Sequence, residues 1–261
     1  YAVGTVGSII GAFGTTFVLI PMLPVEQVGL VLGLLLVGAA VWLGREHRSA
    51  RMPVMGLLVG VLLLVAAASS PLGLSTGGRV IYQTQTPYQE LEVTEFGDTR
   101  TLYLDGQRHS AMDLDDPNRN VFTYTRYFHL PFLFTEDIDR VLFIGGGGFT
   151  GPKHFVRQYD VRVDVVEIDP VVIDVAERYF RVEASDRLRI HTADGRTFLR
   201  ETDRRYDLIV LDAYKKDKVP FQLTTVEFMR LAATRLTDDG ILYANLISAP
   251  TGSASRFFRA E

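Results

Sequence analysis

An α/β fold built on a parallel sheet is predicted by three features of this 261-residue chain. Val141–Ile144 and Leu208–Leu211 are apolar runs, and Val163–Val166 is apolar apart from Asp164, all rich in β-branched and aliphatic residues, the pattern of strands buried on both faces. The first run breaks into four glycines, Gly145–Gly148, where backbone N–H groups can approach a ligand that any Cβ would obstruct. Each later run closes on an acid, Glu167, Asp194 or Asp212, at the strand ends where ligands of such sheets sit.

Taken in order, VLFIGGGG (Val141–Gly148) is the first strand and its turn. Pro152 stands where the next helix should begin, a position that tolerates its missing N–H. VDVVEID (Val163–Asp169) is the second strand, with Glu167 lying 22 residues after Gly145, placed to accept hydrogen bonds from ribose hydroxyls. IHTADG (Ile190–Gly195) is the third, and its Asp194-Gly195 can meet an adenine amino group. LIVLDAY (Leu208–Tyr214) and GILYANLIS (Gly240–Ser248) are the fourth and fifth. The Rossmann-like half-sheet so defined binds a nucleoside. Gly146-x-Gly148-x-x-Gly151 also satisfies the dinucleotide fingerprint, which alone is weak. A pyrophosphate cofactor would make little use of the acids on strands three and four, so S-adenosylmethionine or its decarboxylated form is favoured over NAD.

Ahead of this half-sheet lies a short region of different character. Glu90–Glu95 and Arg100–Asp105 alternate on either side of Gly97-Asp98, a hairpin signal. Val121–Phe134 reads as a helix carrying Tyr124, Tyr127 and Phe128. The expected layout is therefore membrane helices over 1–70, a linker over 71–78, a small β domain and connecting helix over 79–135, and the Rossmann-like domain over 136–261.

The membrane expectation rests on charge. Residues 1–25 carry none, nor do Val28–Leu43 and Met52–Ser69, and a spanning helix needs about 20 mostly apolar residues. Gly4, Gly7, Gly11 and Gly14 add a small-residue stripe of the kind that packs membrane helices closely. Arg45, Arg48 and Arg51 between the second and third segments would put that loop inside. An intracellular donor instead favours a cytoplasmic soluble domain, and the expectation leans that way.

Composition removes several classes. A net charge of −4 without a basic, aromatic-interleaved patch gives no sign of a nucleic-acid partner. With no cysteine there is no disulfide, thiolate metal site or thiol catalysis. His109, His129, His154 and His191 are not at metal-ligand spacing, so no metal is expected.

Between about Tyr88 and Ser248 the chain resembles the spermidine synthase, or polyamine aminopropyltransferase, family. The resemblance is carried by PYQEL (Pro87–Leu91), LYLDG (Leu102–Gly106), SAMDLDDP (Ser110–Pro117), YTRYFHLP (Tyr124–Pro131), IGGGGFTGP (Ile144–Pro152), VEIDP (Val166–Pro170), ADG (Ala193–Gly195), LDAY (Leu211–Tyr214) and LTTVEF (Leu223–Phe228). It is closest to bacterial members fused to a multi-pass membrane domain, and implies further membrane helices before Tyr1 and an edge hairpin after Glu261. It also implies decarboxylated S-adenosylmethionine as donor, a polyamine such as putrescine as acceptor, and a small β domain covering the site. Gly145, Gly147, Glu167, Asp194, Gly195 and Gln89 would bind the donor, with Tyr124 and Asp212 facing substrate and Asp212 also catalytic. A homo-oligomer is left open.

Two departures stand out. The family's second acid, three residues after the position of Asp212, is Lys215 here, with Lys216 and Lys218 beside it. Asp217 is the acid left to take up the acceptor's proton. Gly148 stands where the family carries an acid that contacts the donor's amino group, which weakens the preference for the decarboxylated donor. Membrane-anchored aminopropyl transfer is the leading expectation. An S-adenosylmethionine-dependent methyltransferase and a non-catalytic carrier or sensor are the alternatives.

Overall fold

The computed structural model describes residues 2–22, 25–43, 78–214 and 219–246. The chain divides into two compact units, Tyr1–Thr76 and Gly77–Glu261.

In the first unit the apolar sequence forms α1 (Ala2–Gly14), a π-helical segment Thr15–Leu19, α2 (Ile20–Met22) and α3 (Val25–Leu43). Among the described residues no helix is long and apolar enough to cross a membrane. The first two expected membrane-spanning segments, which lie in these residues, are therefore not supported as spans. The first charge-free run passes from α-helical to π-helical winding at Thr15 and back at Ile20, and α3 carries Glu26 and Gln27 in its first turn. Met52–Ser69, the third charge-free segment, lies outside the described residues, as do residues 71–77 of the expected linker.

The second unit opens with a four-stranded antiparallel meander, β1 (Arg79–Gln85), β2 (Glu90–Phe96), β3 (Thr99–Leu104) and β4 (Gln107–Asp113), paired in sequence order. Gly97 takes φ +55° in the turn between β2 and β3, which a residue without Cβ adopts freely. A five-stranded sheet follows, with β5 (Arg140–Ile144), β6 (Arg162–Glu167), β7 (Leu188–Thr192), β8 (Tyr206–Leu211) and β9 (Leu236–Ala244) in the order β7-β6-β5-β8-β9. Every pair is parallel. The connecting helices are α4 (Thr150–Gln158), α5 (Pro170–Tyr179), α6 (Gly195–Glu201) and α7 (Val226–Thr234).

The meander shares its core with the parallel sheet. Its Leu91, Val93, Leu102 and Met112 lie in one apolar cluster with Val141, Phe143, Val163 and Val165 of the parallel sheet. Phe128, 2 % exposed, sits in that shared core. It meets Tyr124 at 5.6 Å, Phe143 at 5.9 Å and Tyr243 at 6.0 Å, each edge-on. Removing such a ring costs about 3–5 kcal/mol.

Two boundaries differ from expectation. The helix expected over Val121–Phe134 is a 3-10 helix, Thr123–Leu133, with Pro131 inside it. Pro131 has no N–H to give to an α-helical ladder, and Phe134 N–H closes back on its carbonyl at 3.0 Å instead. The last strand starts at Leu236 rather than Gly240, because β9 pairs with β8 from Tyr206 onward through an irregularity before Leu208.

Candidate active site

At the carboxyl ends of the parallel strands lies a cavity of about 690 Å³. The eight predicted site residues within the described chain all line it: Gly145, Gly147, Glu167, Asp194, Gly195, Gln89, Tyr124 and Asp212. Asp217 lies outside the described residues.

The glycine turn is held by what flanks it. A Cβ on Gly145, whose φ is +102°, would stand 2.3 Å from the Asp212 carbonyl oxygen. Only glycine lets the end of β5 pass so close to β8. Phe149 caps α4 in the left-handed region, at φ 56°.

Glu167 ends β6 with its carboxylate against that turn. Oε2 accepts from Gly146 N–H at 2.9 Å and Gly147 N–H at 3.4 Å, and Oε1 accepts from Asp169 N–H at 3.0 Å. Burial raises its pKa, and those three donors work the other way. Asp194 caps α6, accepting from Thr197 N–H at 2.9 Å, and Gly195 packs where a Cβ would stand 2.5 Å from Ile144 Cγ2. Gln89 is tied down through Asp169, which is fully buried. Asp169 Oδ2 accepts from Thr86 Oγ1 at 2.6 Å and from Gln89 Nε2 at 3.4 Å.

Asp212 follows β8. Burial raises its carboxyl from 3.8 to about 7, against the pull of a hydrogen bond from Asn245. Tyr124 lies within its influence: burial first, then the Asp212 charge, push the phenol up. The Tyr124 hydroxyl donates to the His109 carbonyl at 3.3 Å, and burial holds the His109 imidazole toward its neutral form.

Three contributors went unread in the sequence. Asn245 Nδ2 donates to Asp212 Oδ1 at 2.8 Å, and its carbonyl accepts from the Tyr214 hydroxyl. No local pattern marks an asparagine after a strand as the partner of an acid on its neighbour; only the β8–β9 register does. Ser110 is the third. Gly148 N–H donates to Ser110 Oγ at 2.8 Å, and a Cβ on Gly148 would stand 2.6 Å from Ser110 Cβ and 3.2 Å from Phe180. The space for an acid at position 148 is taken by a serine from β4.

A glycine turn without Cβ atoms, acids at three successive strand ends and a protonatable carboxyl beside a tyrosine suit a nucleoside carrying a cationic, reactive substituent. These features define a Rossmann-like fold of the class I S-adenosylmethionine-binding type. Residues 121–248 match the spermine/spermidine synthase domain. The polyamine aminopropyltransferase of Vibrio vulnificus is 34 % identical over 201 residues, covering 74 % of this chain and 66 % of that protein. That of Corynebacterium efficiens is 29 % identical over 268 residues, covering 94 % and 50 %. Spermidine synthase from Thermotoga maritima superposes with a TM-score of 0.58 at 26 % identity, over 70 % of this chain and 62 % of that one. A spermidine synthase in complex with the transition-state analogue AdoDATO gives 0.60 at 25 % identity, over the same shares. The chain belongs to the spermidine synthase family. It spans about half to two thirds of the length of these curated relatives.

Proposed function

We propose that this chain transfers an aminopropyl group from decarboxylated S-adenosylmethionine to a polyamine such as putrescine. The observation that carries the reading is Asp212, a carboxyl with pKa about 7 in the cavity that Glu167, Asp194 and the glycine turn also line. In the donor, sulfonium makes the adjacent propyl carbon electrophilic. The acceptor nitrogen attacks that carbon with its lone pair, the C–S bond breaks, and methylthioadenosine leaves with the electron pair. The attacking nitrogen must give up a proton, and a carboxyl titrating near neutrality suits that task. Glu167 would hold the ribose and Asp194 the adenine edge. Holding both partners in line supplies much of the rate.

Asp217 keeps a place in this reading as the acid on the loop after Asp212, positioned by sequence alone. Separate Asn substitutions at the two positions distinguish them. The variant that loses turnover while still binding methylthioadenosine has lost the proton acceptor.

One observation favours a second reading. With Ser110 packed against Gly148, that wall offers a hydroxyl where a carboxylate would reject the intact donor's own carboxylate. A methyltransferase using S-adenosylmethionine is therefore the alternative. Product analysis separates the two: methylthioadenosine marks aminopropyl transfer and S-adenosylhomocysteine marks methyl transfer.

A further inference from the structure

At the opposite, amino-terminal edge of the parallel sheet lies a second, smaller cavity of about 130 Å³. Five arginines line it, Arg140, Arg162, Arg187, Arg189 and Arg204, against two acids, Asp164 and Asp186. Arg140 opens β5 and Arg162 opens β6, and the two are partners in the parallel register. Asp164, two residues along β6, is partnered by Arg189 on β7. Side chains two apart on a strand share a face, so Arg140, Arg162, Asp164 and Arg189 project from one face of the sheet.

Asp164 is committed to Arg204 and does not neutralise Arg140, Arg162 or Arg189. It is 5 % exposed and already accepts from Arg204 Nη1 at 3.0 Å, His191 Nε2 at 2.9 Å and the Tyr206 hydroxyl at 3.0 Å. Arg187 pairs with the fully exposed Asp160 at 3.1 Å. Among the described residues Arg140, Arg162 and Arg189 have no ion-pair partner. Like charges directly opposite one another on neighbouring strands destabilise a sheet, so the Arg140–Arg162 pairing costs stability unless an anion sits between the guanidinium groups.

We propose that this cavity binds a phosphate group. Guanidinium forks match phosphate oxygens two at a time, and several converging forks recognise it in preference to a single carboxylate. The volume admits one phosphate-sized oxyanion and excludes a nucleoside. Inorganic phosphate and the headgroup of a phospholipid share this chemistry. The site is independent of the aminopropyl-transfer reading. At about 3.3 Å per residue, the length of β5 separates it from the glycine turn by about 15 Å.

The test is thermal unfolding of the full chain in phosphate-free buffer, then with inorganic phosphate at constant ionic strength. The wild type should gain about 2–4 °C at saturating phosphate. Arg162→Gln should lose that gain yet be no less stable than wild type without phosphate, because the like-charge pairing is relieved. Methylthioadenosine binding should be the same in both. In a second arm, phosphatidylcholine vesicles with and without phosphatidic acid are sedimented with both proteins. Wild-type binding that requires phosphatidic acid and is lost in Arg162→Gln identifies a lipid headgroup as the source. No response in either arm, or a phosphate gain retained by Arg162→Gln, overturns the proposal.

Discussion

Asn245 Nδ2 lies 2.8 Å from Asp212 Oδ1 and donates to it, joining the residue after β9 to the acid after β8. The bond stabilises the charged carboxylate in a site where burial disfavours it. Asn245→Leu should therefore raise the Asp212 pKa above about 7 and move the acidic limb of the kcat/KM profile to higher pH. An unshifted limb in a folded Asn245→Leu protein would show that Asp212 does not control that ionisation.

Asp212 also makes stability depend on pH. Its folded pKa, about 7, lies above its ordinary value of 3.8, so the folded state holds the proton more tightly. That contribution is complete below about pH 4 and is lost as pH rises toward 7. A shift of about three units bounds it at about 4 kcal/mol. Asp212→Asn should flatten most of this decline and melt higher than wild type at pH 8, as denaturation scans across the window would show. Glu167, raised in the same direction, should leave a residual slope.

Glu167 has two roles in this account, holding the glycine turn and receiving ribose. Glu167→Ala should weaken methylthioadenosine binding at least tenfold, about 1.4 kcal/mol, as measured by calorimetry. It should also cost about 1–3 kcal/mol of stability, because buried N–H groups of Gly146 and Asp169 lose their acceptor. Unchanged affinity would remove Glu167 from the site.

The three central strands of the parallel sheet were legible because they are buried and read as apolar runs, with Asp164 alone inside β6. The acids were legible because they interrupt those runs at the ligand edge. β1 and β4 were not. RVIYQTQ and QRHSAMD carry polar residues at most positions, and only pairing with β2 and β3 reveals them. Apolarity in residues 1–43 predicted spanning helices, but hydropathy does not report helix length or winding, and among the described residues no helix is long and apolar enough to cross a membrane. Ser110 and Asn245 reach the site from other strands, so no spacing along the chain announced them.

Gly145→Ala tests the turn itself. The new methyl would meet the Asp212 carbonyl oxygen at 2.3 Å and hold a positive φ, which alone costs about 1–2 kcal/mol. The variant should melt lower and lose methylthioadenosine binding together. Wild-type behaviour would show that β5 and β8 can separate.

Asp217→Asn bears on the loop after Asp212. If its carboxylate accepts the acceptor's proton, turnover should fall by roughly 10²-fold or more with donor binding nearly intact. Full turnover in that variant, with loss in Asp212→Asn, would assign the proton to Asp212.

The most direct measurement is product analysis of the wild-type chain incubated with decarboxylated S-adenosylmethionine and putrescine. The account predicts methylthioadenosine and spermidine in equal amounts, both abolished when the donor is omitted. Binding of methylthioadenosine without formation of either product, or S-adenosylhomocysteine formed from the intact donor, would contradict it.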